Sequence, residues 1–148
     1  MLKINDKITK GFIAGLTGGI VMNIVDYIIY LNFDDELYLE WGAIVIFGRL
    51  PENILEIIIA QISQLFFAGF LGIVYIYLIN KLSSKNHLFT GLIYGIMVWF
   101  VIYAISLAFR LPHLTTHSLA AILSNSLGSI LYGVTLVLIL QRLYSLKK

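Results

Sequence analysis

The sequence predicts an all-α, polytopic membrane protein: a bundle of four transmembrane helices, built as a parallel duplication of two helical hairpins, with both termini inside. Three observations predict it: an apolar composition, four long apolar runs, and a one-sided distribution of cations. Of the 148 residues, 59% are hydrophobic and 12% are charged, and the mean hydropathy is +0.92. A soluble domain is about 45–50% apolar and about 25% charged, so these charges cannot cover a soluble surface. The composition excludes a soluble globule, a disordered tail and a nucleic-acid binder. Cysteine is absent, so there is no disulfide framework, thiol nucleophile or thiolate metal site.

About 20 apolar residues rising 1.5 Å each cross a hydrocarbon layer of ~30 Å. Four runs meet that length: Ile8 to Leu31, Ile54 to Ile79, Leu88 to Phe109 and Leu119 to Leu140. The first is interrupted by Asn23 and Asp26, the others by Gln61, Gln64 and Asn125 plus a few hydroxyls. Without water to bond free amides, such runs are helices unless they close into a barrel, and none alternates as barrel strands do. The first run is about twice the length of a signal-peptide core and has no small-residue cleavage site, so it is expected to be retained.

Orientation follows from Lys and Arg. Lys3, Lys7, Lys10, Lys81, Lys85, Arg142, Lys147 and Lys148 share one side of a four-crossing arrangement, and only Arg49 and Arg110 take the other. That 8 to 2 split puts both termini in the cytoplasm and the protein in the cytoplasmic membrane.

The loop from Asn32 to Asn53 is therefore external. It carries the acidic cluster Asp34, Asp35 and Glu36, which can gather cations weakly. Its apolar stretch Trp41–Phe47 is too short to span. Flanked by Tyr38, Trp41 and Arg49, it reads as a segment lying at the headgroups, with a re-entrant loop as the alternative.

Two halves resemble each other. Gly11-Phe-Ile-Ala-Gly15 matches Gly91-Leu-Ile-Tyr-Gly95 at an offset of 80, and Arg49-Leu-Pro51 matches Arg110-Leu-Pro112 at an offset of 61. Gly69 pairs with Gly133 if three residues are inserted. The halves would be parallel repeats about an axis along the membrane normal. At about 100° per residue, Gly11, Gly15, Gly19, Asn23, Asp26 and Tyr30 share one face of the first helix. Their counterparts are Gly91, Gly95, Trp99, Tyr103, Ser106 and Arg110. Comparable lines run through Gln61, Gln64, Ala68, Gly72 and Tyr75 in the second helix and His117, Ala121, Asn125, Gly128 and Tyr132 in the fourth. Small residues let helix backbones approach where lipid gives no hydrophobic drive, so Gly11, Gly15, Gly19, Gly72, Gly91, Gly95, Gly128 and Gly133 read as packing seams. A glycine-lined passage is the alternative.

Asp26 is the sharpest feature, about five residues or roughly 7 Å inside the outer end of its helix. An ionised Asp at a helix centre costs about 2.5–3.5 kcal/mol on insertion scales, so it should face protein. Its expected partner is Arg110, with Arg49 second. It either ties the first helix to the third or serves as a protonatable group in an ion path with Asn23, Gln61, Gln64 and Asn125.

His113 and His117 are four apart, a spacing that can place two imidazoles on one helical face. Pro112 before them points to a loop and helix start instead, capped by Thr115 or Thr116, and a metal would need a third ligand from Asp34, Asp35 or Glu36. His87 lies on the opposite, cytoplasmic side. No catalytic motif, phosphate loop or haem-clamping histidine pair is present; neither enzyme chemistry nor a cofactor is expected.

The chain resembles the YqhR-like family of small four-helix bacterial membrane proteins. The resemblance rests on Gly15-Leu-Thr-Gly-Gly19, Asp26-Tyr-Ile-Ile-Tyr-Leu-Asn-Phe33, Gly91-Leu-Ile-Tyr-Gly95 with Trp99, and Leu131-Tyr-Gly-Val134. It implies an integral membrane protein and carries over no functional residue. The function expected is association: a homo-oligomer, as a dimer, or an accessory subunit of a membrane complex, in contact with lipid and not nucleic acid. Proton- or cation-coupled transport through Asp26 is the main alternative, and an envelope-stress or signalling role reading the outer loop is the second.

Overall fold

A computed structural model describes residues 6–33, 38–79, 86–111 and 119–145. They form five helices: α1 (Lys7–Phe33), α2 (Tyr38–Phe47), α3 (Ile54–Ile79), α4 (His87–Ala108) and α5 (Leu119–Ser145). All but α2 are long and apolar enough to cross a membrane, as in a multi-pass membrane protein. The four coincide with the four apolar runs to within a few residues at most ends; α5 continues five residues past Leu140, to Ser145.

Polar residues mark where the helices start. Asp6 accepts the backbone N–H groups of Ile8 and Thr9 at 3.2 Å each and the Thr9 hydroxyl at 3.0 Å, filling orphan donors of the first turn. Those donors hold its carboxyl below the usual range, so the cap is complete above that range and is lost as pH falls through the lowered value. Asn53 accepts the Glu56 N–H at 3.0 Å before α3, and Asn86 accepts the Phe89 N–H at 3.1 Å before α4. α4 ends in a Schellman motif: Leu111 N–H bonds Ser106 C=O at 3.0 Å and Arg110 N–H bonds Leu107 C=O at 3.2 Å. The left-handed residue there is Arg110, at φ 48°, where glycine is the usual occupant.

The helices form a ring in the order α1, α3, α4, α5. α1 packs closely on α3 and on α5, and α4 packs closely on α5. α3 and α4 stand further apart, joined by tyrosines (below). α2 lies on the N-terminal half of α3: Ala43 and Ile44 are buried, and the Trp41 ring sits 5.4 Å from that of Phe67. Ala14, Ile76, Tyr132 and Leu136 are among the core residues. The large apolar residues left exposed, such as Ile24, Phe66, Phe100 and Leu123, suit a lipid environment.

Candidate functional site

Two seams bring backbones into contact. Between α1 and α3, a Cβ added at Gly15 would stand 2.9 Å from the Gly72 Cα, and one at Gly11 would stand 2.9 Å from the Gly72 carbonyl oxygen. Between α4 and α5, a Cβ at Gly133 would stand 2.9 Å from the Gly91 carbonyl carbon, and one at Gly95 would stand 2.9 Å from the Ser129 carbonyl carbon. Real Cβ atoms do not approach so closely, so these helices touch only because the side chains are absent. Gly11, Gly15, Gly72, Gly91, Gly95 and Gly133 are thus used inside the chain. Gly19 faces Ala68 in the first seam, and Gly128 is buried in α5.

Each seam carries a polar bond toward the same end of the bundle. Asn23 of α1 donates to Gln64 of α3 at 2.9 Å, with Gln61 Nε2 3.4 Å from the same oxygen. Asn125 of α5 donates to the Tyr103 hydroxyl of α4 at 2.8 Å. Asp26 is buried, with 5% of its surface exposed, and Gln64, Ser106, Ser124 and Asn125 are buried with it. Among the described residues the indole nitrogens of Trp41 and Trp99 and the Ser124 hydroxyl are buried without a hydrogen-bond partner. A small cavity of about 40 Å³ touches Trp41, Gln64, Ser129 and Tyr132.

The expected Asp26–Arg110 pair is corrected by this geometry. α1 and α4 occupy opposite corners of the ring and do not pack as a pair. Arg110 is exposed and carries no ion pair among the described residues. Arg49 is not the alternative partner either: its guanidinium holds both oxygens of Glu56 at 2.8 and 3.0 Å and approaches Glu52 at 3.4 Å. That bidentate bond raises the Arg49 pKa above its usual value. The expectation that Asp26 turns toward protein agrees with its burial. His113 and His117, Thr115 and Thr116, and Asp34, Asp35 and Glu36 lie outside the described residues. His87 opens α4 and lines a cavity of about 270 Å³ with Gln141 and Tyr144.

The α3–α4 side has an apolar groove of about 580 Å³. Its walls are Phe67, Leu71, Val74 and Leu78 of α3 against Val98, Val101, Ile102 and Ile105 of α4, with Trp41 and Ile44 of α2 also lining it. Tyrosines bridge α3 and α4: Tyr94, which lines the groove, donates to the Leu71 carbonyl at 2.6 Å, and the Tyr75 and Thr90 hydroxyls are 2.9 Å apart. On the opposite side the α1–α5 contact is close, because Gly18 of α1 admits the Tyr132 ring, within 2.9 Å of where a Cβ would stand. Tyr132 then donates to the Ala68 carbonyl at 2.7 Å.

Sequence reasoning missed three groups. Of the bridging tyrosines, Tyr75 and Tyr132 were legible only as parts of the stripes and Tyr94 only inside the Gly91–Gly95 match, with no sign of the groups they reach. Trp41 was read only as a flank of a segment at the headgroups, with no sign of its contact with the Phe67 ring. Lys10 was counted as a plain cytoplasmic cation, yet it is 2% exposed with its ammonium 4.1 Å from the centre of the Tyr144 ring, a cation–π contact. No family model, curated protein or solved structure matches the chain.

Proposed function

We propose that the chain is a protein of the cytoplasmic membrane, both termini inside, that acts by association, holding an apolar partner against its open α3–α4 side. The observation that carries this reading is the groove itself. It is a recess in a bundle whose other close helix contacts are sealed at small residues. The expectation of an oligomer or an accessory subunit rests on it; the glycine seams no longer support it, since they are consumed within the chain. The resemblance to the YqhR-like family fits the same reading.

The duplication is part of the proposal. Offsets of 80 and 61 carry the first seam onto the second with no insertion: Gly11 and Gly15 onto Gly91 and Gly95, Ala68 and Gly72 onto Ser129 and Gly133. They also carry the Asn23–Gln64 bond onto Tyr103–Asn125. Gly72, rather than Gly69, is then the counterpart of Gly133. The Arg-Leu-Pro copies are less alike, since Gly48 is left-handed before the first while Arg110 is itself left-handed in the second. Packed against α3 as far as Phe67, α2 reads as re-entrant rather than lying at the headgroups.

The chain has no cysteine, so single cysteines report cleanly. Val74→Cys and Val101→Cys, carrying a short apolar photo-crosslinker in native membranes, should capture a partner, protein or lipid. Ile20→Cys on the exposed face of α1 should capture only bulk lipid; equal capture at all three positions would defeat the reading. Asn86→Cys should resist an impermeant reagent in intact cells while Glu52→Cys reacts, and the reverse pattern would invert the orientation.

A second reading, proton- or cation-coupled transport, is favoured by the burial of Asp26 on the helix that carries Asn23. Asp26→Asn should abolish a proton or cation flux in liposomes, and an unchanged flux would remove Asp26 from it.

A further inference from the structure

We infer that the α3–α4 groove seats an acyl chain of a lipid with an anionic headgroup, Arg110 standing at its mouth. This rests on the reading of the α3–α4 side as a binding face, and it names the partner.

The groove walls argue against a helix as occupant. Wherever this chain packs helix on helix closely, the contact is made at Gly, Ala or Ser, as at Gly15 on Gly72 and Gly95 on Ser129. Transmembrane helix interfaces in general depend on such residues. Among the described residues no Gly, Ala, Ser or Thr lines the groove; apart from Met97 its walls are branched or aromatic, and they would hold a helix backbone away. Volume points the same way. A helix ~30 Å long and ~10 Å across displaces roughly four times the 580 Å³ of the groove. A flexible alkyl chain has no backbone to bring close and fits between branched walls by dispersion contact alone.

The charge comes from the end of α4. Phe109 and Leu111 both line the groove, and Arg110 lies between them, exposed and without an ion pair among the described residues. The Schellman turn that ends α4 fixes the backbone at this position. A guanidinium there matches a phosphate headgroup with bidentate donors, while the chain below it lies along Val101 and Val98.

Trp41, in the groove wall, is the reporter. In a Trp99→Phe background it is the sole tryptophan, since the chain has two. The protein is placed in nanodiscs containing either phosphatidylglycerol or phosphatidylcholine with acyl chains brominated near the middle. Brominated phosphatidylglycerol should quench Trp41 at about fivefold lower mole fraction than brominated phosphatidylcholine, the preference expected of one cation near an anionic lipid. Val101→Phe, which fills the groove, should weaken quenching by both lipids. Arg110→Gln, at an exposed position, should erase the preference and leave quenching itself in place, which keeps the test decisive if the Phe variant fails to fold.

Equal quenching by the two lipids in the parent protein would overturn the inference, leaving only ordinary boundary lipid. Weak quenching together with protein capture at Val101→Cys would overturn it while sparing the binding-face reading. Weak quenching with no capture at Val101→Cys would overturn both.

Discussion

The two hairpins, α1–α3 and α4–α5, meet along two interfaces that differ in closure. At α1–α5, Gly18 opens a slot that the Tyr132 ring fills, and the helices pack along their length. At α3–α4 the positions related by the same offsets are Val98 and Leu71; neither leaves a slot nor supplies a ring, and a groove results. In lipid, helix association depends on shape and hydrogen bonds rather than on apolar burial. One glycine facing one tyrosine therefore does what a dozen bulky apolar residues on the other side do not. Two helix interfaces need few side-chain differences for one to seal and the other to stay open as a groove.

The strongest way to break this contrast is to enlarge the same position in both. Gly18→Leu should expel the Tyr132 ring and cost about 3 kcal/mol or more. Val98→Leu at the groove should cost less than about 1 kcal/mol. Reversible unfolding in mixed micelles, followed by tryptophan emission, would compare them, and equal costs would mean that the two sides are equally tight.

Removing single hydroxyls sharpens it next. Tyr132→Phe and Tyr94→Phe each delete one bond to a helix carbonyl and should lose about 1 kcal/mol apiece. Only Tyr94→Phe should widen α3–α4, seen as a longer distance between spin labels at Val74→Cys and Val101→Cys. Arg110→Gly should gain about 1 kcal/mol by relieving a left-handed residue that carries a side chain, measured by the same unfolding assay. The smallest effect belongs to the seam bonds. A double-mutant cycle on Asn23 and Gln64 should give a coupling of about 0.6 kcal/mol, and the Tyr103–Asn125 cycle should match it if the seams are equivalent.

Much of this fold was legible in the sequence, because an apolar run of fixed length has one solution in a bilayer. The helix ends, the burial of Asp26 and the small-residue seams followed from length and spacing. The pairing did not. Matching stripes on α1 and α4 were read as facing each other, hence Asp26 with Arg110. Residues related by a twofold axis correspond without touching unless they lie near the axis; the partners of α1 are α3 and α5. The Trp41 contact with Phe67 and the Lys10 contact with Tyr144 were beyond reach for another reason. Both are contacts between residues far apart in the chain, and no local periodicity records them. His113 and His117 lie outside the described residues and stay as the sequence left them.

The glycine seams have a mechanical consequence. Backbones locked at Gly15–Gly72 and Gly95–Gly133 leave each hairpin little freedom to shear, so the bundle behaves as two stiff leaves. The Gly18–Tyr132 contact is their spine, and the tyrosine bonds across α3–α4 are a light clasp. Breathing of this protein should therefore be a book-like swing about α1–α5, with inter-label distances broadening across the clasp and staying narrow along the spine.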